Sequence, residues 1–250
     1  MNAAIRAEAL NKCYLPPTSP EGVDSVVSRI FGSFNRPCKT SVRDQRIWGL
    51  RDVSFEIQRG ECVGVIGMPG SGKSTLVKIL IGVTEPTSGR VIVEGRLGVL
   101  RGYGRDLHPD LTLRENVLLA GAALGMTHGE ILRRLNDKAF VNATPADAEA
   151  EVGSYSQKKR MRLAFAIAAH LDADILVVDE LGTDREFQRR SLAMLERLNR
   201  EGRTIVFVSH HLSDVLSRCT RTIWLHEGRV AGVGTTGEIL EQYQRVLETA

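Results

Sequence analysis

Aromatic residues are scarce in this chain, only 5% of 250. A core built on rings is therefore excluded, and the apolar 42% must pack mainly through Val, Leu, Ile and Ala. No apolar run approaches the ~18 residues a membrane-spanning helix needs. The polar-interrupted start, Met1–Leu10, does not read as a signal peptide. Charge of one sign is also lacking. A net +3 gives no strong basic stripe of the kind that marks a nucleic-acid binder. The four cysteines, Cys13, Cys38, Cys62 and Cys219, form no CxxC pair and have no histidine at ligand spacing. That argues against zinc and for free thiols in a reducing compartment. Internal repeats and low-complexity tracts are absent, and the length suits one compact α/β domain over residues 1–250.

What is present has a clear rhythm. Residues 50–57 alternate, with Val53, Phe55 and Ile57 on one side, as a half-buried strand does. Residues 62–66, 175–178 and 205–208 are short runs of mostly apolar residues separated by helical patterns. Such runs predict a mostly parallel sheet covered on both faces. Residues 50–57 and 91–99 are expected to form an antiparallel β part, and 222–225 with 229–233 a closing hairpin around Glu227-Gly228. A helical lobe is expected over about 107–160, broken at Gly125–Gly129 and near Thr144-Pro145. Residues 15–47 read as an N-terminal insertion. Within it, Val23, Val26, Val27, Ile30, Phe31 and Phe34 fall at helical spacing over 22–34.

The most specific signal is Gly67-Met68-Pro69-Gly70-Ser71-Gly72-Lys73-Ser74-Thr75. It fits GxxxxGK[ST] and lies between an apolar strand and a helix. Its glycines let the main chain curl so that several N–H groups face one anion, and the following helix adds positive potential at its N-terminus. Lys73 is expected to reach the β- and γ-phosphates, and Ser74 to ligate Mg²⁺. This motif identifies a nucleoside-triphosphate binder without choosing among kinases, GTPases, helicases and transporters. Ile175–Val178 ends in Asp179 and Glu180. Ligands of open α/β sheets collect at that strand edge, so Asp179 is the candidate to hold Mg²⁺ through water, and Glu180 the candidate to orient or deprotonate the attacking water. A further strand, 205–208, leads to Ser209-His210-His211. His210 is the first candidate for a γ-phosphate contact, and His211 the second.

The order of these features, with Tyr155-Ser156-Gln157-Lys158-Lys159 between the loop and the acidic pair, resembles an ABC transporter ATPase. The resemblance covers nearly the whole chain. It is narrower still to the ATP-binding subunits of polysaccharide exporters, carried by W-G-L-R-D-V-S-F-E-I at 48–57, H-P-D-L-T-L-R-E-N-V at 108–117 and R-L-A-F-A-I-A at 162–168. It implies a RecA-like parallel sheet with an antiparallel β part and a helical subdomain, ATP and Mg²⁺ as ligands, and Tyr14 (or Trp48) as the ring stacked on adenine. It implies a homodimer in which the phosphate loop of one copy faces residues 155–159 of the other. A separate membrane permease is the expected partner, with the chain cytoplasmic and peripheral on the inner face of the cell membrane. The 22–34 helix would then touch the membrane or the permease, or pack on the domain. Some such exporters carry an added carbohydrate-binding domain. With 40 residues after His210, none is expected here.

Three departures qualify that picture. The usual signature L-S-G-G-Q is replaced by Tyr155–Lys159, and both glycines that allow close approach to phosphate are lost. Residues 101–107 lack the usual glutamine, and the segment after Glu180 is about two residues short of the family pattern. ATP is therefore expected to bind well while hydrolysis is slow or partner-dependent. The alternative is a nucleotide-gated, weakly hydrolysing subunit with a regulatory or scaffold role.

Overall fold

A computed structural model describes residues 3–14, 47–101, 107–135, 149–179, 185–209 and 211–249. The 22–34 helix, Glu180, His210 and the break near Pro145 lie outside the described residues.

Two sheets form the body. Strands β1 (Ala3–Tyr14), β2 (Ile47–Gln58) and β4 (Ser88–Val93) make a three-stranded antiparallel sheet in the order β2-β1-β4. The six-stranded sheet adds β3 (Cys62–Ile66), β5 (Leu97–Arg101), β6 (Ile175–Asp179), β7 (Thr204–Val208), β8 (Arg221–His226) and β9 (Arg229–Thr235), in the order β5-β6-β7-β3-β8-β9. Five of these strands are parallel, and β9 returns antiparallel to β8.

The apolar runs follow from burial on both faces. Val63, Val65, Ile175, Val177, Val206 and Val208 point into a core shared with the small sheet and α1 (Lys73–Leu80). The alternate residues Ile66, Leu176, Val178, Ile205 and Phe207 point into a second core. That core is closed by α5 (Arg185–Arg200), α6 (Leu212–Arg218) and α7 (Thr236–Thr249). A strand covered on both faces cannot show polar alternation. A third cluster joins α2 (Leu113–Ala123), α3 (His128–Leu135) and α4 (Gln157–His170) through Leu113, Val117, Ile131, Ala164 and Ile167.

Residues 91–99 do not form one antiparallel unit. The chain turns at Gly95, whose φ is +130, and Arg96 N–H is held by the Asp174 carboxylate at 2.7 Å. Residues 97–101 thereby leave the small sheet and pair parallel with β6. The long strand β1 was not expected. Its positive φ at Ala9 and the pairing shift between Ala7 and Leu10 put both of those residues into the core and erase any simple alternation.

Two of the three helices of the third cluster, α2 and α3, begin in the same way. Thr112 Oγ1 accepts from Glu115 N–H at 3.2 Å while Glu115 Oε2 accepts from Thr112 N–H at 2.8 Å. Thr127 and Glu130 repeat this reciprocal cap ahead of α3, at 3.4 and 2.6 Å. Each satisfies two main-chain donors that a helix start leaves unpaired. The T-L-R-E-N run is in this respect a stop-and-start signal for the chain. Its Asn116, buried to 2% exposure, accepts from His108 N–H at 2.7 Å and donates to the carbonyls of His108, Leu111 and Thr112 at 3.1, 3.2 and 3.0 Å.

Candidate nucleotide site

The parallel register brings distant sequence to one edge. Arg101 lies opposite Asp179, Asp179 opposite Val208, and Val208 opposite Val65. The C-terminal ends of β5, β6, β7 and β3 thus align, and the glycine-rich loop leaves β3 at that same edge. Neighbouring strands are about 4.8 Å apart, so Asp179 stands two strands, roughly 10 Å, from the strand that feeds the loop.

The loop itself is shaped by close backbone contacts. Gly67 has φ +151, and a Cβ there would lie 2.3 Å from the Leu225 carbonyl. Gly72 has φ +104, and a Cβ there would lie 2.4 Å from the Gly49 carbonyl. Gly72 also serves as N-cap of α1 without a side chain to receive the first N–H groups, and the first turn carries no acid. Those donors are left for an anion. Lys73 Nζ sits in the mouth of the loop, donating to the carbonyls of Gly67 at 2.5 Å and Met68 at 3.0 Å, with Ser71 Oγ at 3.5 Å.

The loop opens on a cleft of about 850 Å³, lined by Gly67–Gly70, Gly72–Thr75, Tyr14, Trp48 and Tyr243 among others. Tyr14 and Trp48 reach it from neighbouring strands, where Cys13 pairs with Trp48 and Tyr14 with Ile47. Tyr14 donates its hydroxyl to Thr75 Oγ1 at 3.5 Å, and the Arg51 guanidinium lies 5.5 Å from the centre of the Trp48 ring. The cradle and the two rings offer a triphosphate and a base separate surfaces in one hollow. Among the described residues, no group of three or more His, Cys, Asp or Glu could hold a metal by itself. A hydroxyl at Ser74 and one carboxylate at Asp179 suit Mg²⁺, which keeps several waters and takes phosphate oxygens as further ligands. Tyr243 and Gly49 at this cleft were not singled out from the sequence. Tyr243 belongs to an ordinary amphipathic helix, and Gly49, although inside the run at 48–57, has no sequence neighbour that marks its approach to the loop.

The other sequence-predicted residues stand apart from the cleft. Ser209 is buried, its N–H bonds Val65 O at 3.4 Å, and its Oγ accepts from the exposed His211 N–H at 3.0 Å. His211 begins α6 as its N-cap, without a side-chain capping bond. Ser156 caps α4 by accepting from Lys159 N–H at 3.3 Å, and the Lys159 ammonium lies 3.9 Å from the centre of the Tyr155 ring. Ser156, Gln157 and Lys158 are exposed. Tyr155–Lys159 do not line the cleft of their own chain.

The family model described as ABC transporter matches residues 50–182. Over 206 residues the chain is 39% identical to the O-antigen export system ATP-binding protein RfbB of Myxococcus xanthus, covering 82% of this chain and 47% of that one. It is 38% identical over 211 residues to the teichoic acids export ATP-binding protein TagH of Listeria monocytogenes, covering 83% and 62%. RfbB of Klebsiella pneumoniae is 33% identical over 208 residues, covering 82% and 85%. The chain thus spans less than two thirds of the first two relatives. In fold it matches a dimeric ATP-binding cassette solved with ADP and Pi, with a TM-score of 0.70 at 21% identity, over 93% of this chain and 98% of that one. Among the described residues no helix is long and apolar enough to cross a membrane.

Proposed function

This chain belongs to the ABC transporter family, and we propose that it binds and hydrolyses ATP to power export of a polysaccharide or glycolipid through a separate membrane permease. The observation that carries the chemistry is the alignment of four strand ends beside a glycine-rich cradle with Lys73 in its mouth. The export class is supported by relatives named for O-antigen and teichoic acid export.

In this reading the N–H groups of the loop and the Lys73 ammonium hold the triphosphate. Tyr14, with Trp48 beside it, forms the wall for the base. Ser74 and Asp179 hold Mg²⁺, which when bound offsets phosphate charge. Glu180 orients or deprotonates the attacking water, and His210 contacts the γ-phosphate. Two copies form the functional dimer, each presenting residues 155–159 to the other's phosphates. Gln157 and Lys158 then stand where glycines would bring main-chain N–H groups, and Lys158 offers a full charge in their place. The approach is longer, and slow hydrolysis follows. The protein is peripheral on the inner face of the membrane, held by the permease, with the segment 22–34 expected to touch the membrane or the permease or to pack on the domain, and it takes no nucleic acid. Residues 1–250 act as one nucleotide-binding domain, with 15–47 inserted and about 107–160 as a helical subdomain.

Nucleotide titration and steady-state turnover on the purified chain test this. Removing one charged donor should cost about 1.5–3 kcal/mol, so Lys73→Ala is expected to weaken ATP binding by roughly 10- to 150-fold. Glu180→Gln should keep affinity and lower turnover by about 10²–10⁴. Unchanged affinity in the lysine variant would refute the cradle. Wild-type turnover near the ordinary enzyme value of about 10 s⁻¹ would refute slow hydrolysis. Turnover that is absent both alone and with a permease would leave the nucleotide-gated scaffold as the better account.

A further inference from the structure

The tip of the β8–β9 hairpin lies behind the phosphate loop and is bonded to it through the main chain. Gly228 N–H donates to Ser71 O at 3.0 Å, and Gly228 O accepts from Arg51 N–H at 2.7 Å. Glu227 and Gly228 both have positive φ, at +47 and +76, the geometry of a two-residue hairpin turn that follows strand twist. Space at this junction is spent to the limit of the main chain. A Cβ on Gly228 would lie 3.1 Å from Gly49 O and 3.3 Å from Leu50 Cα, and a Cβ on Gly72 would lie 3.4 Å from Gly228 Cα. Three glycines from β2, the loop and the hairpin therefore meet, although they are far apart in sequence.

We propose that Gly228 is a positioning residue for the phosphate loop, fixing which way the Ser71–Gly72 peptide faces; this rests on the reading of the loop as a triphosphate cradle. The peptide is planar and trans, so its carbonyl and its N–H point to opposite sides. Holding Ser71 O back against Gly228 turns Gly72 N–H forward, on the side where Gly72 lines the cleft. The same hairpin residue grips Arg51, whose side chain lies over Trp48. One residue outside every sequence motif thus ties the wall proposed for the base to the cradle proposed for the phosphates.

The selective effect is on phosphate recognition, so the quantity to measure is the ratio of ATP to AMP affinity, well below the melting temperature. Gly228→Ala strains the turn and crowds Gly49. Gly228→Asn accepts positive φ but keeps the crowding. Gly202→Ala is the control: its φ is +96, with open space around the position. Both Gly228 variants should lose about tenfold of the ATP preference, the worth of one aimed charge-assisted hydrogen bond, and Gly202→Ala should lose none. An unchanged ratio in the Gly228 variants, or an equal loss in Gly202→Ala, would overturn the proposal. Amide exchange in the wild type gives an independent reading. ATP should slow exchange of Gly228 N–H more than AMP does, and equal exchange with both would overturn it as well. If the wild type shows no preference for ATP over AMP, it is the cradle itself that fails.

Discussion

Asn116 offers the sharpest energetic test, because one buried amide holds the segment 108–112 onto the first turn of α2. Its carboxamide oxygen serves His108 N–H, and its two N–H protons are shared among three carbonyls. Asn116→Ala removes about three net hydrogen bonds at ~1 kcal/mol each. His108 is exposed and Thr112 half-buried, so water recovers part of the loss, and a destabilisation of about 2–3 kcal/mol is expected. Asn116→Asp is the more diagnostic change. It keeps the acceptor for His108 N–H but sets a buried carboxylate against three carbonyl oxygens, so at neutral pH it should cost more than alanine, about 3–4 kcal/mol. On acidification the aspartate takes up a proton and becomes a donor to one carbonyl, and the gap between the two variants should narrow. Urea unfolding at two pH values reads this as midpoint shifts of about 1 M at constant slope. An aspartate variant as stable as the wild type at neutral pH would show that the amide does not hold the segment.

The Thr112 and Thr127 main-chain N–H groups, and then their hydroxyls, hold the carboxyls of Glu115 and Glu130 below the ordinary range. Their contribution is full above the unfolded value of about 4.3 and is lost as pH falls through the depressed folded values. Glu115→Gln with Glu130→Gln keeps both caps, so the stability curve of that variant should flatten on its acid limb. An acid limb as steep as the wild type's would count against the caps. The Cys62 and Cys219 sulfurs lie 3.6 Å apart. The Cys219 S–H lowers the Cys62 value, with Arg218 assisting, whereas its bond to Cys62 and then burial raise Cys219. Iodoacetamide should therefore label Cys62 before Cys219, and Cys219→Ala should slow labelling at Cys62. Mass spectrometry reads both, and the reverse order would refute the pairing.

Much of the fold was legible where residues must do one thing. The runs 62–66, 175–178 and 205–208 are apolar because both strand faces are covered, and the structure has them as parallel strands. The turn at Glu227-Gly228 was legible because a Gly after a short strand signals a hairpin. The rest depended on distant partners. Gly95 reads as a turn, yet only Asp174, far along the chain, makes it the crossing between two sheets. In β1 the bulge at Ala9 destroys the alternation that would have announced a strand. At the site, the loop was legible because its chemistry is local. The contacts of Gly49 and Gly228 were not, since a glycine needed for another segment's backbone leaves no pattern in its own neighbours.

That difference bears on how such a site tolerates change. In the proposed reading the motif residues bind through groups that face phosphate, so their substitution removes a contact outright. The supports behind them act through main-chain direction, and the Ser71–Gly72 peptide can be misaimed while every motif residue remains. Four segments that meet at the loop (β1, β2, the β8–β9 turn and α7) fall outside its motif, and two of them lie more than a hundred residues beyond it. The proposed affinity for triphosphate is therefore expected to depend on the register of the six-stranded sheet as much as on the loop. A substitution that slips β8 against β3, where Ile66 lies opposite Trp224, would move the hairpin relative to Ser71 and is expected to weaken ATP binding without touching any residue of the motif.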